Sequence, residues 1–401
     1  MNNPTQANRP PWLVWVFSGE ISKVLDAATW LEMTKEMRQS GWKVDLISAG
    51  PDGKKTVQDV EVFCINAPDF YFIRHLVLHM RIIPYILQNW KQIDIVLFNQ
   101  ISLLWFLPLR LLSLFRKDRP LFIMDTRTVP MESIQKMTMK DRLRGRFYFL
   151  MNNLANRLSD GQTVITQHMA DLLHIPSNKL LGVWPSGVNL EKFAATWQHR
   201  DWPATDTPLK VIYIGTLNYE RNLMTFCKAI LEANQRGMNF SFLMVGDGSE
   251  KQDLQTFAGQ TNGMIQVCEP VPHGQIPDVL AKAHIGVLPF PDEEKYRVSS
   301  PIKLFEYMGA GLPILATKIT CHTDVIGNGD YVFWADTSDQ DGLLKALEAA
   351  WQRRYDLPQM GSKAQVAAQD WTYAASARRL QQALQHGLSQ KHGKVYLART
   401  A

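Results

Sequence analysis

The sequence predicts an α/β protein built from two doubly wound, Rossmann-like domains, on three observations. From residue 12 onward, short apolar runs of strand length alternate with longer amphipathic stretches, the pattern of a parallel sheet wrapped by helices. That alternation stops across Ala194 to Pro208, which has no periodicity, and restarts at Leu209. The chain has 401 residues, of which 46% are apolar and 20% charged, enough for a sizeable core in each half. The expected organisation is a first Rossmann-like domain at 1–195, a linker at 196–208, a second such domain at 209–370, and a helix and tail at 371–401.

In the first half, strands are expected at Leu13 to Phe17, Val44 to Ser48, Val60 to Ile65, Ile93 to Phe98, Leu121 to Met124, Thr163 to Thr166 and Leu180 to Val183. The first helix is expected from about Ile21 to Arg38, with Val24, Ala28 and Leu31 on one face. In such a sheet the ligand crevice lies at the carboxyl ends of the strands, so chemistry is sought in the loops there. Gly19, in Phe17-Ser18-Gly19-Glu20, would let a ligand approach the backbone, although a plain tight turn uses glycine equally well. Asn99-Gln100 presents two amides after the strand ending at Phe98. Asp125-Thr126-Arg127 sets an acid and a base one residue apart at a strand end, suited to a polar acceptor or to an internal Asp–Arg pair that holds the loop. Trp184 to Phe193, with Pro185, Gly187 and Asn189, reads as a rigid irregular crossing where the domain ends.

Two stretches, 101–119 and 136–149, mix bulky apolar residues with Arg116, Lys117 and Arg119 in one and Lys140, Arg142, Arg144 and Arg146 in the other. Neither approaches the ~20 apolar residues that a bilayer-spanning helix needs. Helix packing on the sheet is one reading, and an interfacial helix on anionic lipid is the other.

In the second half, strands are expected at Val211 to Ile214, Phe240 to Val245, Ile265 to Val267, Ile285 to Phe290, Leu312 to Ala316 and Tyr331 to Trp334. Helices are expected at Asn222 to Gln235, Lys251 to Ala258, Ile276 to Ala283, Pro301 to Met308 and Gln340 to Tyr355. Gly215-Thr216 and Arg221 follow one strand, and Gly246-Asp247-Gly248 follows the next. Each is a common connector alone, but together at equivalent ends of one sheet they suggest backbone N–H groups and a cation facing a phosphate. Within Ser299 to Thr317, Ser300 suits a helix N-cap, Pro301 the first helical position, and Gly309 with Gly311 the reversal into a strand. A diphosphate would suit the start of that helix, and Glu306 could accept hydrogen bonds from sugar hydroxyls; an ordinary capped helix has the same signature. Ala374 to Leu388 reads as a helix that could fold back across the linker, followed by a basic tail from Gln390. The cleft between two such domains is the expected active site.

A net charge of +5, with Lys and Arg spread along the chain, argues against nucleic acid and for anionic small molecules or a membrane surface. Cys64, Cys227, Cys268 and Cys321 have no metal-ligand spacing, so reduced thiols and no metal site are expected. Met1 to Pro11 is polar without an apolar signal region, which points to a cytoplasmic protein.

Several motifs stand in the order and spacing of one family. They are Tyr213-Ile214-Gly215-Thr216-Leu217, Val245-Gly246-Asp247-Gly248, Ile276 to Ala283, Leu288-Pro289-Phe290 and Ser300 to Pro313, preceded by Leu158-Ser159-Asp160-Gly161, Val164-Ile165-Thr166 and Pro185 to Phe193. Across about residues 155 to 340 the chain resembles glycosyltransferase family 4 (group 1). The resemblance implies a GT-B fold and metal-independent, retaining transfer of a sugar from a nucleotide donor, UDP- or GDP-sugar, to a glycan or lipid-linked acceptor in polysaccharide or glycolipid synthesis. It implies no separate cofactor, and a cytoplasmic or peripheral location on the inner face of the membrane.

It also implies roles for individual residues. Glu306 takes the place of the second Glu of the family's E-x7-E motif, on the ribose hydroxyls, while Val298 stands where the first would be. Thr216 stands where an Arg is frequent, so the diphosphate would depend on Arg221, Lys303 and the N–H groups near Ser299 and Ser300. Asp125-Thr126-Arg127 stands where many relatives have a His after the strand. Catalytic roles are thus expected for Arg221, Lys303 and Asp125, and donor contacts for Gly215, Thr216, Gly246, Asp247, Gly248, Ser299, Ser300, Glu306 and Gly19. Two other readings share this sequence: a non-catalytic glycosyltransferase-like partner, and a sugar-nucleotide epimerase with the same double-Rossmann shape.

Overall fold

Trp12 to Val16 are buried at the centre of the first sheet, because a parallel strand covered by helices on both faces must be apolar along its whole length. A computed structural model describes residues 9–23, 27–113, 115–116, 118–130, 138–196, 200–203 and 207–392. They fall into two units: one runs to Pro185 and resumes at Tyr373, and the other is Ser186–Thr372. The division thus falls at Pro185 and Ser186, ahead of the expected 196–208 linker, of which 197–199 and 204–206 lie outside the described residues. Arg200, within that stretch, is buried and donates to the carbonyls of Gly311, Ala310 and Leu280.

The first unit contains β1 (Trp12–Glu20), β2 (Lys43–Ala49), β3 (Gly53–Val57), β4 (Val60–Ile65), β5 (Ile95–Phe98), β6 (Leu121–Thr126), β7 (Gly161–Val164) and β8 (Leu180–Val183). Their order is β3-β4-β2-β1-β5-β6-β7-β8, parallel except for the β3–β4 pair. Alternate residues of β1 feed opposite cores. Leu13 and Trp15 meet α1 (Ala28–Gln39) and the terminal helix Tyr373–His392, through residues such as Leu31, Leu380 and Leu384. Val14 and Val16 meet α2 (Tyr71–Gln88), α3 (Leu103–Ser113) and α4 (Met139–Leu158), through Leu78, Ile82, Phe106 and Met151. Gly182 lets the terminal helix lie against β8, since a Cβ there would come within 2.6 Å of Ala383 Cβ.

Three local differences from the sequence reading have physical reasons. β3 carries Lys54 and Lys55 and is exposed along most of its length, an edge strand whose charges hide it from any apolar pattern while discouraging pairing with other chains. The first helix starts at Ala28 after a single turn at Ile21–Lys23, and Val24 lies outside the described residues. Thr166 ends no strand; its hydroxyl caps the helix Gln167–Leu172 by accepting from Met169 N at 3.1 Å.

The second unit contains β9 (Leu209–Ile214), β10 (Phe240–Val245), β11 (Ile265–Cys268), β12 (Ile285–Leu288), β13 (Ile314–Thr317) and β14 (Val332–Ala335), ordered β11-β10-β9-β12-β13-β14 and parallel throughout. Strand order reverses between β1 and β5 in the first sheet and between β9 and β12 in the second. Such reversals open a crevice at the carboxyl ends, where ligands bind.

Burial of histidines makes both units sensitive to acid. His75 and His79 in the first, and His284 and His322 in the second, are buried, and desolvation lowers each to about 4. The unfolded chain binds these protons near pH 6.5 and the folded chain does not, so stability is full above about pH 6.5 and is lost as pH falls toward 4. Each histidine accounts for about 2 kcal/mol at pH 5. Thermal melts should therefore show a steep decline in Tm between pH 7 and 5; a flat profile would contradict the burial of these rings.

Candidate functional site

The loops at the carboxyl end of the second sheet are built so that main chain touches main chain. Gly215 N donates to Val245 O at 2.9 Å, and Leu217 N to Asp247 O at 2.9 Å. Gly215 and Gly246 adopt φ of +141° and +156°, and a Cβ on Gly246 would lie 1.8 Å from Gly215 O. Only glycine fits there. Gly248 is similarly close-packed, with Asn218 Oδ1 2.4 Å from where its Cβ would be. Asp247 is exposed; its Oδ1 accepts from Gly248 N at 2.9 Å and lies 3.6 Å from Lys251 Nζ. The N–H groups of Gly215 and Gly246, expected to face a ligand, are therefore already bonded, the second to Cys268 O at 3.1 Å.

Two cations stand over this platform. The Lys303 side chain passes across Gly215, with its Cε 1.9 Å from the place a Cβ would take, and its Nζ is 5.9 Å from the Tyr213 ring centre. Arg221 ends the turn Tyr219–Arg221 after β9. Its guanidinium lies 5.0 Å from the Phe290 ring and 5.4 Å from the Tyr296 ring, and Nε donates to Thr216 Oγ1 at 3.3 Å. The rings hold the planar group by cation–π attraction. Among the described residues no carboxylate forms an ion pair with Arg221. Phe290 follows β12, so Arg221 bridges the strand ends on either side of the reversal. Burial pushes the Tyr213 phenol up to about 12 against the opposing pull of Arg221, so the ring under the cations stays neutral.

The helix Ile302–Gly309 starts one residue later than expected. Pro301, at φ −72° and ψ 113°, is extended and occupies the cap position without a side-chain bond. Ser300 is not the cap; its buried hydroxyl accepts from Ser186 N at 3.1 Å. Ser299 N and Oγ both donate to Tyr296 O, at 2.9 and 2.8 Å. The helix is buried almost all round: Gly286 makes room for the Tyr307 ring, whose hydroxyl accepts from Ile214 N at 3.2 Å. Glu306 is buried with it, and its Oε1 lies 3.2 Å from His273 Nε2. His273 sits on the turn His273–Gln275 after β11. Its pairing with Glu306, across 33 residues, leaves no sequence signal beyond its place after a strand end. Val298 is buried, so an apolar side chain fills the position that the resemblance gives to a Glu.

In the first unit the expected residues are engaged within the unit. β6 runs two residues past Met124 and carries Asp125 into the pleat of the sheet. There its Oδ1 accepts from Thr163 Oγ1 at 2.6 Å and from Trp184 Nε1 at 2.9 Å, and desolvation raises its carboxyl above the usual range. Arg127 stacks 3.5 Å from the Trp184 ring centre and donates to Trp184 O. Asp125 is thus buried and held within its own unit by Thr163 and Trp184, not presented on an open loop as the sequence suggests. Gly19 lies in the irregular end of β1, not in an open loop; the register slips between Phe17 and Glu20, and the Gly19 carbonyl accepts from Ser48 Oγ at 2.9 Å. Asn99 and Gln100 are also engaged, with Ser18 Oγ at 2.9 Å and Thr126 Oγ1 at 2.7 Å. Among the described residues no three His, Cys, Asp or Glu side chains cluster as metal ligands.

Two Rossmann-like parallel-sheet units of this kind constitute the GT-B fold. Residues 208–353 match the family model described as glycosyl transferases group 1. A 2-deoxystreptamine glucosyltransferase of Streptomyces kanamyceticus is 24% identical over 211 residues, 48% of this chain and 51% of its own, so the chain spans about half the length of this curated relative. Among solved structures, sucrose-phosphate synthase from Thermosynechococcus elongatus superposes with a TM-score of 0.74 at 14% identity, covering 93% of this chain and 98% of the other. Anabaena HepE in complex with UDP-glucose gives 0.64 at 14% identity, over 92% and 98%.

Proposed function

We propose that the protein is a retaining, metal-independent glycosyltransferase that moves a sugar from a UDP- or GDP-sugar to a glycan or lipid-linked acceptor. The observation that carries this reading is the pair of cations, Arg221 and Lys303, over the glycine platform at the strand-order reversal of the second sheet. In the reaction the bond from the anomeric carbon to the diphosphate oxygen breaks while a bond to the acceptor hydroxyl oxygen forms. The acceptor attacks from the face that the diphosphate leaves, and its hydroxyl proton passes to the departing diphosphate oxygen. Negative charge builds on the diphosphate as the bond to the sugar breaks. Arg221 and Lys303 meet that charge from fixed positions, and one preorganised donor of this type is worth about 3 kcal/mol in the transition state. With two side-chain cations so placed, the reading needs no divalent ion for the leaving group. Glu306, held by His273, accepts from the ribose hydroxyls.

The match to a group 1 family model over the second unit and the UDP-glucose complex of a fold neighbour support a nucleotide-sugar donor. The acceptor is assigned to the first unit, and synthesis of a polysaccharide or glycolipid follows from an acceptor of this class. A lipid-linked acceptor would place the protein on the cytoplasmic face of a membrane as a peripheral enzyme; among the described residues no helix is long and apolar enough to cross one. Buried Val298 favours one second reading, a non-catalytic partner that binds the donor without turning it over. A panel of UDP-, GDP- and ADP-sugars in EDTA, with glycan and lipid-linked acceptors supplied, read by thermal shift and by acceptor-dependent release of the nucleotide, tests the proposal. A shift with release supports it, a shift without release supports the second reading, and neither overturns both.

A further inference from the structure

We propose that α4 docks the first unit onto an anionic lipid bilayer, lying in its surface. The inference stands on the exposed face of this helix and not on the donor reading above. Met139, Leu143, Phe147 and Leu150 recur at intervals of four, four and three residues and so share one face. Met139 is 78% exposed, Leu143 69% and Leu150 59%, an unusual set for one stripe of a helix. The opposite face holds the helix to its own unit: Met151, Asn152 and Ala155 are buried, and the Tyr148 hydroxyl donates to Thr128 O at 2.7 Å. The apolar stripe is therefore turned away from the sheet it rides on.

Charge follows the stripe along both edges. Helical spacing sets Arg142 and Arg146 on one side and Lys140 and Arg144 on the other. The helix has one acid, Asp141, which lies on the attached side and is spent in a capping box with Thr138. An apolar stripe between two basic rows matches the boundary between acyl chains and anionic headgroups. A second copy of the chain fits poorly, because pairing two such faces would bring like charges together. The layer continues beyond α4: α3 packs beside it and α2 beside α3, and Met80 of α2 and Leu111 of α3 are exposed. Of the two stretches that sequence alone marked as candidates, 136–149 carries the better-defined stripe; Lys136 and Lys117 lie outside the described residues.

Sedimentation of the full chain with vesicles tests this, without any nucleotide sugar. Wild type should bind vesicles of phosphatidylcholine mixed with phosphatidylglycerol and release them in high salt, and bind pure phosphatidylcholine weakly. Reversal of three charges (Lys140→Glu, Arg142→Glu, Arg146→Glu) should lower binding by about a hundredfold. Leu143→Ser with Leu150→Ser should lower it by about tenfold or more, while Tm and donor binding stay as in wild type. No binding of wild type to anionic vesicles would overturn the proposal, as would unchanged binding in the Leu variant. A concentration-dependent dimer abolished by the same Leu substitutions, without vesicle binding, would overturn it in favour of self-association.

Discussion

Replacing Arg221 with alanine should lower kcat/KM for the nucleotide-sugar donor by about a hundredfold or more, the loss of one preorganised charge-stabilising donor of about 3 kcal/mol. Because the diphosphate gains charge as the sugar leaves, the larger part should appear in kcat. Stability should change little, since the guanidinium rests on Phe290 and Tyr296 and makes one long hydrogen bond to Thr216. Arg221→Lys should recover only part of the activity, because a compact ammonium cannot stack flat on the rings and offer a planar fork at once. Steady-state rates of all three proteins check this, with thermal melts as the control for folding. An Arg221→Ala protein with wild-type kcat would remove Arg221 from the leaving-group role.

Glu306→Gln should weaken nucleotide binding by about tenfold to a hundredfold, since hydrogen bonds to a charged acceptor contribute about 1.5–3 kcal/mol. Gln retains the shape and one acceptor oxygen, so the buried helix around it should keep its packing with Tyr307 and Gly286. Titration of UDP into both proteins reads the change. Were Glu306 present only to hold His273, Tm would fall and nucleotide affinity would not, which separates the two roles.

The strand ends of the second unit were the most legible part of this sequence. A parallel strand buried on both faces is a continuous apolar run, and the glycine loops Gly215 and Gly246–Gly248 mark where each run ends. Arg221 could therefore be placed at a strand end from the pattern, while the expectation for Lys303 came from the family resemblance. What the pattern could not show was how the backbone donors are used. The N–H groups of Gly215 and Gly246 are taken by the carbonyls of Val245 and Cys268, and such long-range bonds leave no local mark. The same holds for His273, which meets Glu306 only because the turn after β11 approaches the helix Ile302–Gly309.

In the first unit, strand length decided the reading of Asp125. Two additional residues of β6 move its carboxylate from a loop into the sheet, where Thr163 and Trp184 hold it. Polar Asp-Thr at the end of an apolar run reads as a loop, and only the partners on β7 and after β8 show that it remains strand. Gly19 failed as a loop glycine for a related reason, because β1 continues through it to Glu20. The basic, apolar stretch of α4 read equally as packing or as a lipid-facing surface until its stripe proved to be the exposed side of the helix.

A crystal soaked with UDP gives the most direct test of the donor site. The diphosphate should lie within hydrogen-bonding distance of Arg221 and Lys303, with the ribose hydroxyls on Glu306. UDP bound elsewhere, or no binding at millimolar nucleotide, would contradict the assignment of this platform to a nucleotide sugar.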